Sequence, residues 1–286
     1  MRSVSETYLH ANGIQLALFE WTAAPGAPIV FFAHATGFHA RVWDQVIERL
    51  PGVHCYAIDM RGHGRSDKPA PPYPWRNFAL DVVEVARQLD LHGVLAVGHS
   101  KGGYAITLAA AMDTGLFSKL LLIDPVILPR ERYGTGFGGD HFAAKRRNNW
   151  SSAQEMFERF VSRSPFDQWD PAVLHDYVDY GLLSNPDGEG YVLACPPAIE
   201  AATYAGSGNG GEIYDAMPAL DIPVRILRAR TRAESAVMDM SNSPTAPDVA
   251  ANFRHADDVF LPKYSHFMPM EDPGFIASQV REMLDN

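Results

Sequence analysis

The sequence is poor in cysteine, in long apolar runs and in positive charge. Only two cysteines, Cys55 and Cys195, occur in 286 residues. Two thiols cannot build the disulfide framework of a small secreted scaffold, and their separation matches no zinc motif. Both read as small buried hydrophobes. No stretch of about 20 apolar residues is present, so no membrane span is expected. The N-terminal MRSVSETYLHANG lacks the apolar segment of a secretory signal, so a cytoplasmic location is expected. Lys and Arg number 24 against 34 Asp and Glu, a net charge of −10. A nucleic-acid groove needs a basic stripe, which excludes that class of partner and gives no support to an anionic membrane surface. The acidic balance also disfavours anionic substrates.

What is present is an ordinary globular composition, 47% hydrophobic and 20% charged. The length suffices for one large core with an insertion. Gln15–Trp21 reads as a strand after a hairpin turn at Asn12-Gly13. Ile29–Ala33, His54–Ile58, Val94–Val97 and Leu120–Ile123 read as further strands. Between them, Val42–Leu50, Phe78–Leu89 and Gly103–Met112 carry helical spacing. Strands separated by helices imply parallel crossovers and an α/β sheet. From Leu128 to about Pro218 this rhythm breaks, no buried strand is evident, and aromatic-rich amphipathic pieces suggest a helical insertion. The rhythm resumes with Pro223–Leu227, Val259–Leu261 and a last helix over Phe275–Leu284.

One stretch carries chemistry: VLAVGHSKGGYAITLAA, from Val94 to Ala110. Gly98-His99-Ser100-Lys101-Gly102 matches G-x-S-x-G at a strand-to-helix junction. So sharp a turn strains the central residue and crowds positions two away on either side, where glycine avoids collision. It pushes the Ser100 hydroxyl into the crevice beyond the strand ends, where parallel sheets bind ligands. A serine hydroxyl needs a base. In this arrangement an acid and then a histidine follow the serine in chain order. His266, in LPKYSHFMPMEDP after the last strand, occupies that place, whereas His255 precedes the strand.

Four blocks carry a resemblance to the α/β-hydrolase superfamily: FFAHATGF at 31–38, DMRGHGRSDKP at 59–69, GHSKGG at 98–103 and SHFMPMEDP at 265–273. The resemblance implies an α/β-hydrolase fold: a mostly parallel sheet of about eight strands, helices on both faces, and a helical cap after strand six. Residues 1–128 and 219–286 would form the core, and residues 129–218 the cap. It also implies that Ser100 is the nucleophile, His266 the base, and the backbone N–H groups of Thr36 and Lys101 the oxyanion hole. Ala35 stands where such loops usually hold glycine. His34 is expected to anchor its loop, and Arg61, Gly62 and Gly64 to shape a loop behind the nucleophile. The Lys101 side chain is expected to be solvated or at a pocket rim.

The acid is open. The usual place after strand seven holds Thr231 or Arg232, with Glu234 and Asp239 slightly late. Asp124, at the end of strand six in LLLIDPVILP, is preferred, because a rigid strand end fixes geometry better than a loop. Glu234 is the main alternative and Asp239 the next.

The resulting expectation is a serine esterase or lactonase for small to medium apolar esters, working without metal or organic cofactor. Cleavage of amides or carbon–carbon bonds by the same side chains is the alternative. A non-catalytic ligand-binding member of the fold is a further one. The expected partner is a small-molecule ester, with no nucleic acid or membrane; a homodimer is compatible with the sequence. Trp150, Phe157, Phe160, Trp169, Tyr177 and Tyr180 are candidates for the pocket lining, although their spacing equally suits a packing face.

Overall fold

A computed structural model describes residues 2–134, 141–231 and 241–285. Its strands in chain order are β1 (Ser5–Ala11), β2 (Ile14–Trp21), β3 (Ile29–Ala33), β4 (His54–Ile58), β5 (Val94–His99), β6 (Phe117–Ile123), β7 (Asn149–Trp150), β8 (Leu182–Ser184), β9 (Tyr191–Leu193), β10 (Val224–Ala229) and β11 (Ala256–Leu261). The α-helices are α1 (Asp44–Glu48), α2 (Trp75–Gln88), α3 (Lys101–Met112), α4 (Ala153–Phe160), α5 (Pro171–Tyr180), α6 (Pro197–Gly206), α7 (Ile213–Ala216), α8 (Met268–Glu271) and α9 (Pro273–Asp285).

Eight strands form one sheet in the order β1-β2-β4-β3-β5-β6-β10-β11. β1 and β2 form an antiparallel hairpin closed by Asn12 and Gly13, whose φ angles of 48° and 80° make the mirror-image turn that matches strand twist. β2 meets β4 antiparallel, and the pairings from β4 to β11 are parallel. The central strand β5 is buried at every residue. That is why Val94–Val97 reads as a continuous apolar run without alternation: both its faces are covered.

Alternate strand residues feed two cores. Leu16, Phe31, Ala96 and Leu122 pack with α2 and α3 on one face. Phe19, Phe32, Val97 and Leu121 pack with α1 and α9 on the other. The strand order reverses between β3 and β5, so a crevice opens at their carboxyl ends. The residues after β3, β5, β6 and β11 all reach that edge.

Between β6 and β10 the chain leaves the main sheet. This segment carries α4–α7 and a small antiparallel sheet in the order β7-β9-β8. The short strands were missed in the sequence because two or three residues are too few to show a period of two. Trp150, Met156, Trp169, Val173 and Tyr177 join the same apolar cluster as α1 and α9. No helix among the described residues is long and apolar enough to cross a membrane.

Candidate active site

Ser100 sits between β5 and α3 with φ 57° and ψ −119°. This left-handed conformation is costly for a residue with a side chain and persists only where its surroundings over-determine it. Here the Ser100 N–H donates to the Ile123 carbonyl at 3.0 Å, and its carbonyl accepts from Val126 N–H at 3.1 Å. The flanking glycines have a steric cause. A Cβ on Gly98 would lie 2.6 Å from the Gly102 carbonyl group, and one on Gly102 would overlap the Ala33 carbonyl oxygen.

His266 follows β11 and brings its ring back to the serine. Its Nε2 is 3.0 Å from Ser100 Oγ, and its Nδ1 is 2.6 Å from Asp124 Oδ2. Asp124 is fully buried and terminates β6. Its other oxygen, Oδ1, accepts from the Ala229 N–H at 2.9 Å and the Ser243 hydroxyl at 2.5 Å. A carboxylate in this setting only accepts, so Nδ1 of His266 carries the proton and Nε2 presents a lone pair to the serine. Glu234 and Asp239 lie outside the described residues.

The imidazole is also fixed from its main chain. The His266 N–H donates to the Ser241 carbonyl at 2.7 Å, and His99 Nε2–H donates to the His266 carbonyl at 2.8 Å. His99 is a contributor that the sequence reading passed over as the variable position of the motif. Its burial, together with the neighbouring His266, pushes its pKa down to about 3, so it stays neutral.

Behind β3, the Met60 N–H donates to His34 Nε2 at 3.0 Å, so the His34 Nδ1–H donates to the Ala35 carbonyl at 2.7 Å. His34 therefore ties the loop after β3 to the loop after β4. Ala35 needs no special conformation; the left-handed position is Gly37, at φ 81°. Arg61 forks onto Asp81 at 2.6 Å through two nitrogens.

The expectation for the Lys101 side chain is wrong. Lys101 is fully buried, 3.3 Å from His63 Nε2 and 4.2 Å from the Phe78 ring centre. The helix that starts at the elbow points position 101 into the protein. Burial lowers its pKa to about 7, against Coulomb attraction from Asp81 and Glu200.

Beside the serine and histidine, though lined by neither, is a cavity of about 350 Å³ that reaches Phe267, whose ring centre is 5.6 Å from that of His266. Thr36 and Phe38, after β3, and Phe267, next to His266, form its base. Trp150, Phe160, Phe166, Trp169 and Tyr177 form its walls. Four of the six candidate aromatics thus line it. Phe157 instead stacks on His175 with ring centres 3.9 Å apart, and Tyr180 lies under Arg41 at 3.8 Å.

The acidic balance of the chain misdescribes this cavity. Arg146, Arg147, Arg159 and Arg163 border it, with Glu200 the only acidic residue among its described lining. Four of the seven basic residues of the insertion are thus on this wall; Arg130, Arg132 and Lys145 are not.

The profile of the alpha/beta hydrolase family matches residues 30–279. "Lipase LipV" of Mycobacterium tuberculosis is 36% identical over 277 residues, covering 91% of this chain and 95% of that protein. A "Non-heme chloroperoxidase" of Streptomyces lividans is 33% identical over 123 residues, 42% of this chain and 44% of that protein. Among solved structures, E-2-(acetamidomethylene)succinate hydrolase superposes with a TM-score of 0.75 at 20% identity, covering 99% of this chain and 100% of the other. The enol-lactonase of Burkholderia xenovorans gives 0.70 at 17% identity, covering 98% and 100%. At such identities these likenesses speak for the fold.

Proposed function

The chain belongs to the alpha/beta hydrolase family, and from that premise we propose that it is a serine hydrolase cleaving carboxylic esters or lactones through an acyl-enzyme. The observation that carries this reading is the contact series Ser100 Oγ, His266 Nε2, His266 Nδ1, Asp124 Oδ2, at 3.0 and 2.6 Å.

His266 Nε2 takes the Ser100 proton as Oγ attacks the ester carbonyl carbon. The resulting oxyanion is held by the backbone N–H groups of Thr36 and Lys101, the second at the N-terminus of α3 where the helix dipole is positive. The carbon–oxygen bond to the alcohol breaks, and the leaving oxygen takes the proton from His266. Water then gives a proton to His266 while its oxygen attacks the acyl carbon. The Ser100–acyl bond breaks, the proton returns to Oγ, and the acid leaves. Asp124 keeps the imidazole in the required tautomer and stabilises its charged form. Residues 129–218 serve as the lid over the site, supplying the aromatic walls.

The test is turnover of para-nitrophenyl esters of graded acyl length, together with labelling by a fluorophosphonate. We expect hydrolysis and labelling in the native protein, and neither in Ser100→Ala. An absence of both in the native protein would refute the reading. Preferential turnover of an amide or a ring-fission diketone would reassign the bond type while keeping Ser100.

A further inference from the structure

The four arginines on the cavity wall differ in what they already hold. Arg146 is engaged: its guanidinium donates to Glu200 Oε2 at 2.5 Å and to the Tyr177 hydroxyl at 2.9 Å. Arg147 pairs with Glu155 at 2.6 Å and lies over the Trp150 ring at 4.2 Å. Arg159, at the end of α4, and Arg163, one helical turn further on, have no ion pair or side-chain hydrogen bond among the described residues.

Two guanidinium groups without counter-charge on one cavity wall repel each other. In a chain of net charge −10, acidic side chains to neutralise them are plentiful, yet among the described lining residues the one carboxylate, Glu200, is taken by Arg146. Guanidinium presents a fork of donors that matches the oxygens of carboxylate or phosphate. The rest of the wall is aromatic and complements an apolar body. Cavity base and arginine rim therefore ask for two different ends of one ligand.

We propose that the substrate is an ester bearing an oxyanionic group, carboxylate or phosphate, which Arg159 and Arg163 bind at the rim while its apolar part lies against Trp169, Phe160 and Phe166. This deepens the esterase reading and rests on it for the reaction, though not for the binding. Both arginines are exposed, so the attraction is screened by salt. Exposed charge pairs are individually weak; two forked contacts together would give about a tenfold preference.

The test compares para-nitrophenyl hydrogen adipate with para-nitrophenyl hexanoate, and para-carboxyphenyl hexanoate with phenyl hexanoate. These pairs place the carboxylate on the acyl or the alcohol side. We expect one charged ester to exceed its neutral partner about tenfold in kcat/KM. That ratio should shrink with added salt and approach one in the Arg159→Gln/Arg163→Gln double variant. A merely structural role for the arginines would slow both partners alike and leave the ratio unchanged. Calorimetric titration of the Ser100→Ala protein with adipate, hexyl phosphate and hexanol separates the two oxyanions and reads binding without turnover. Ratios at or below one in the native enzyme, or a preference that survives the double variant, would overturn the proposal. If no ester is hydrolysed, the esterase reading fails and calorimetry decides alone: binding of either anion that is lost in the double variant supports the site, and no anion binding removes it.

Discussion

The two sides of Ser100 follow opposite rules. Behind it, polar groups are buried: Asp124, His99, His34 and Lys101 are each fully buried, and the first three are held by main-chain hydrogen bonds. In front of it, aromatic rings and exposed arginines come from a segment outside the main sheet. The rear side is built at the ends of β3, β5, β6 and β11, held in one register by the parallel sheet. The front side is built from short helices and a small separate sheet of the insertion. Reaction chemistry should therefore respond to changes behind the serine, and substrate choice to changes in front.

The largest effect that would sharpen this contrast is expected for Asp124→Asn. The amide keeps the shape, but its NH₂ end or the altered imidazole tautomer removes the lone pair facing Ser100. By analogy with the serine-protease acid, kcat should fall about 10⁴-fold with little change in KM. Steady-state kinetics with two unrelated esters checks it: both should fall by the same factor. A variant of near-native turnover would return the role to Glu234 or Asp239.

Next in size is a pH effect from Lys101. Its pKa falls from 10.5 to about 7 on burial. Between those values the unfolded chain binds more protons than the folded one, so stability rises with pH across this window. Put the other way, the contribution is complete above pH 10.5, is lost as pH falls toward 7, and changes no further below. The span is on the order of 5 kcal/mol. Lys101→Met keeps the apolar stem on Phe78, so urea melts at pH 7 and pH 10 should differ much less than in the native protein. An unchanged pH slope would show that the ammonium reaches water.

This lysine also marks the limit of what the sequence made legible. Ser100 could be placed because a strand-to-helix turn leaves steric marks, glycine at positions 98 and 102, that are readable without coordinates, and His266 because it follows the last strand in the chain order the elbow implies. The central strands were readable for a similar reason, since strands covered on both faces show as unbroken apolar runs; the count of eight came from the family resemblance, because the largely exposed β1 shows no such run. Lys101 was misplaced because charge argues for solvent, and only the orientation of α3 turns that side chain inward. The acid stayed open because three carboxylates were compatible with chain order, and only the pairing of β6 with β10 sets Asp124 beside the last loop. The arginine wall was invisible. Arg146 and Arg147 lie before α4, Arg159 at its end and Arg163 in the turn after it, so no single helix gathers them in the sequence, and net charge averages over surfaces that the fold keeps apart.

A smaller effect tests whether the rear side extends to His99. His99→Phe keeps a ring against His266 but removes the donor to its carbonyl. We expect kcat to drop about tenfold, as for a lost support of a catalytic group, with KM unchanged. Rescue of most activity by His99→Asn, which restores a donor, would separate hydrogen bonding from ring packing. Equal losses in both variants would make packing the cause.

The smallest effect separates wall from filler within one helix. Phe157 and Phe160 both lie on α4, but only Phe160 faces the cavity, stacked on Phe166 at 4.3 Å. Phe157 covers His175 instead. Phe157→Ala should cost about 1–2 kcal/mol of stability, below the ~3–5 kcal/mol of a fully buried ring because Phe157 is only half-buried, with kcat/KM unchanged. Phe160→Ala should cost a similar amount and also raise KM several-fold, more for long acyl chains than for acetate, because apolar contact scales with buried area. Thermal melts and a chain-length series on the two variants check the pair. A KM shift in Phe157→Ala as large as in Phe160→Ala would mean that the front of the site behaves as one packed unit, and the division between sheet-built chemistry and ring-built selectivity would have to be redrawn along the helix as a whole.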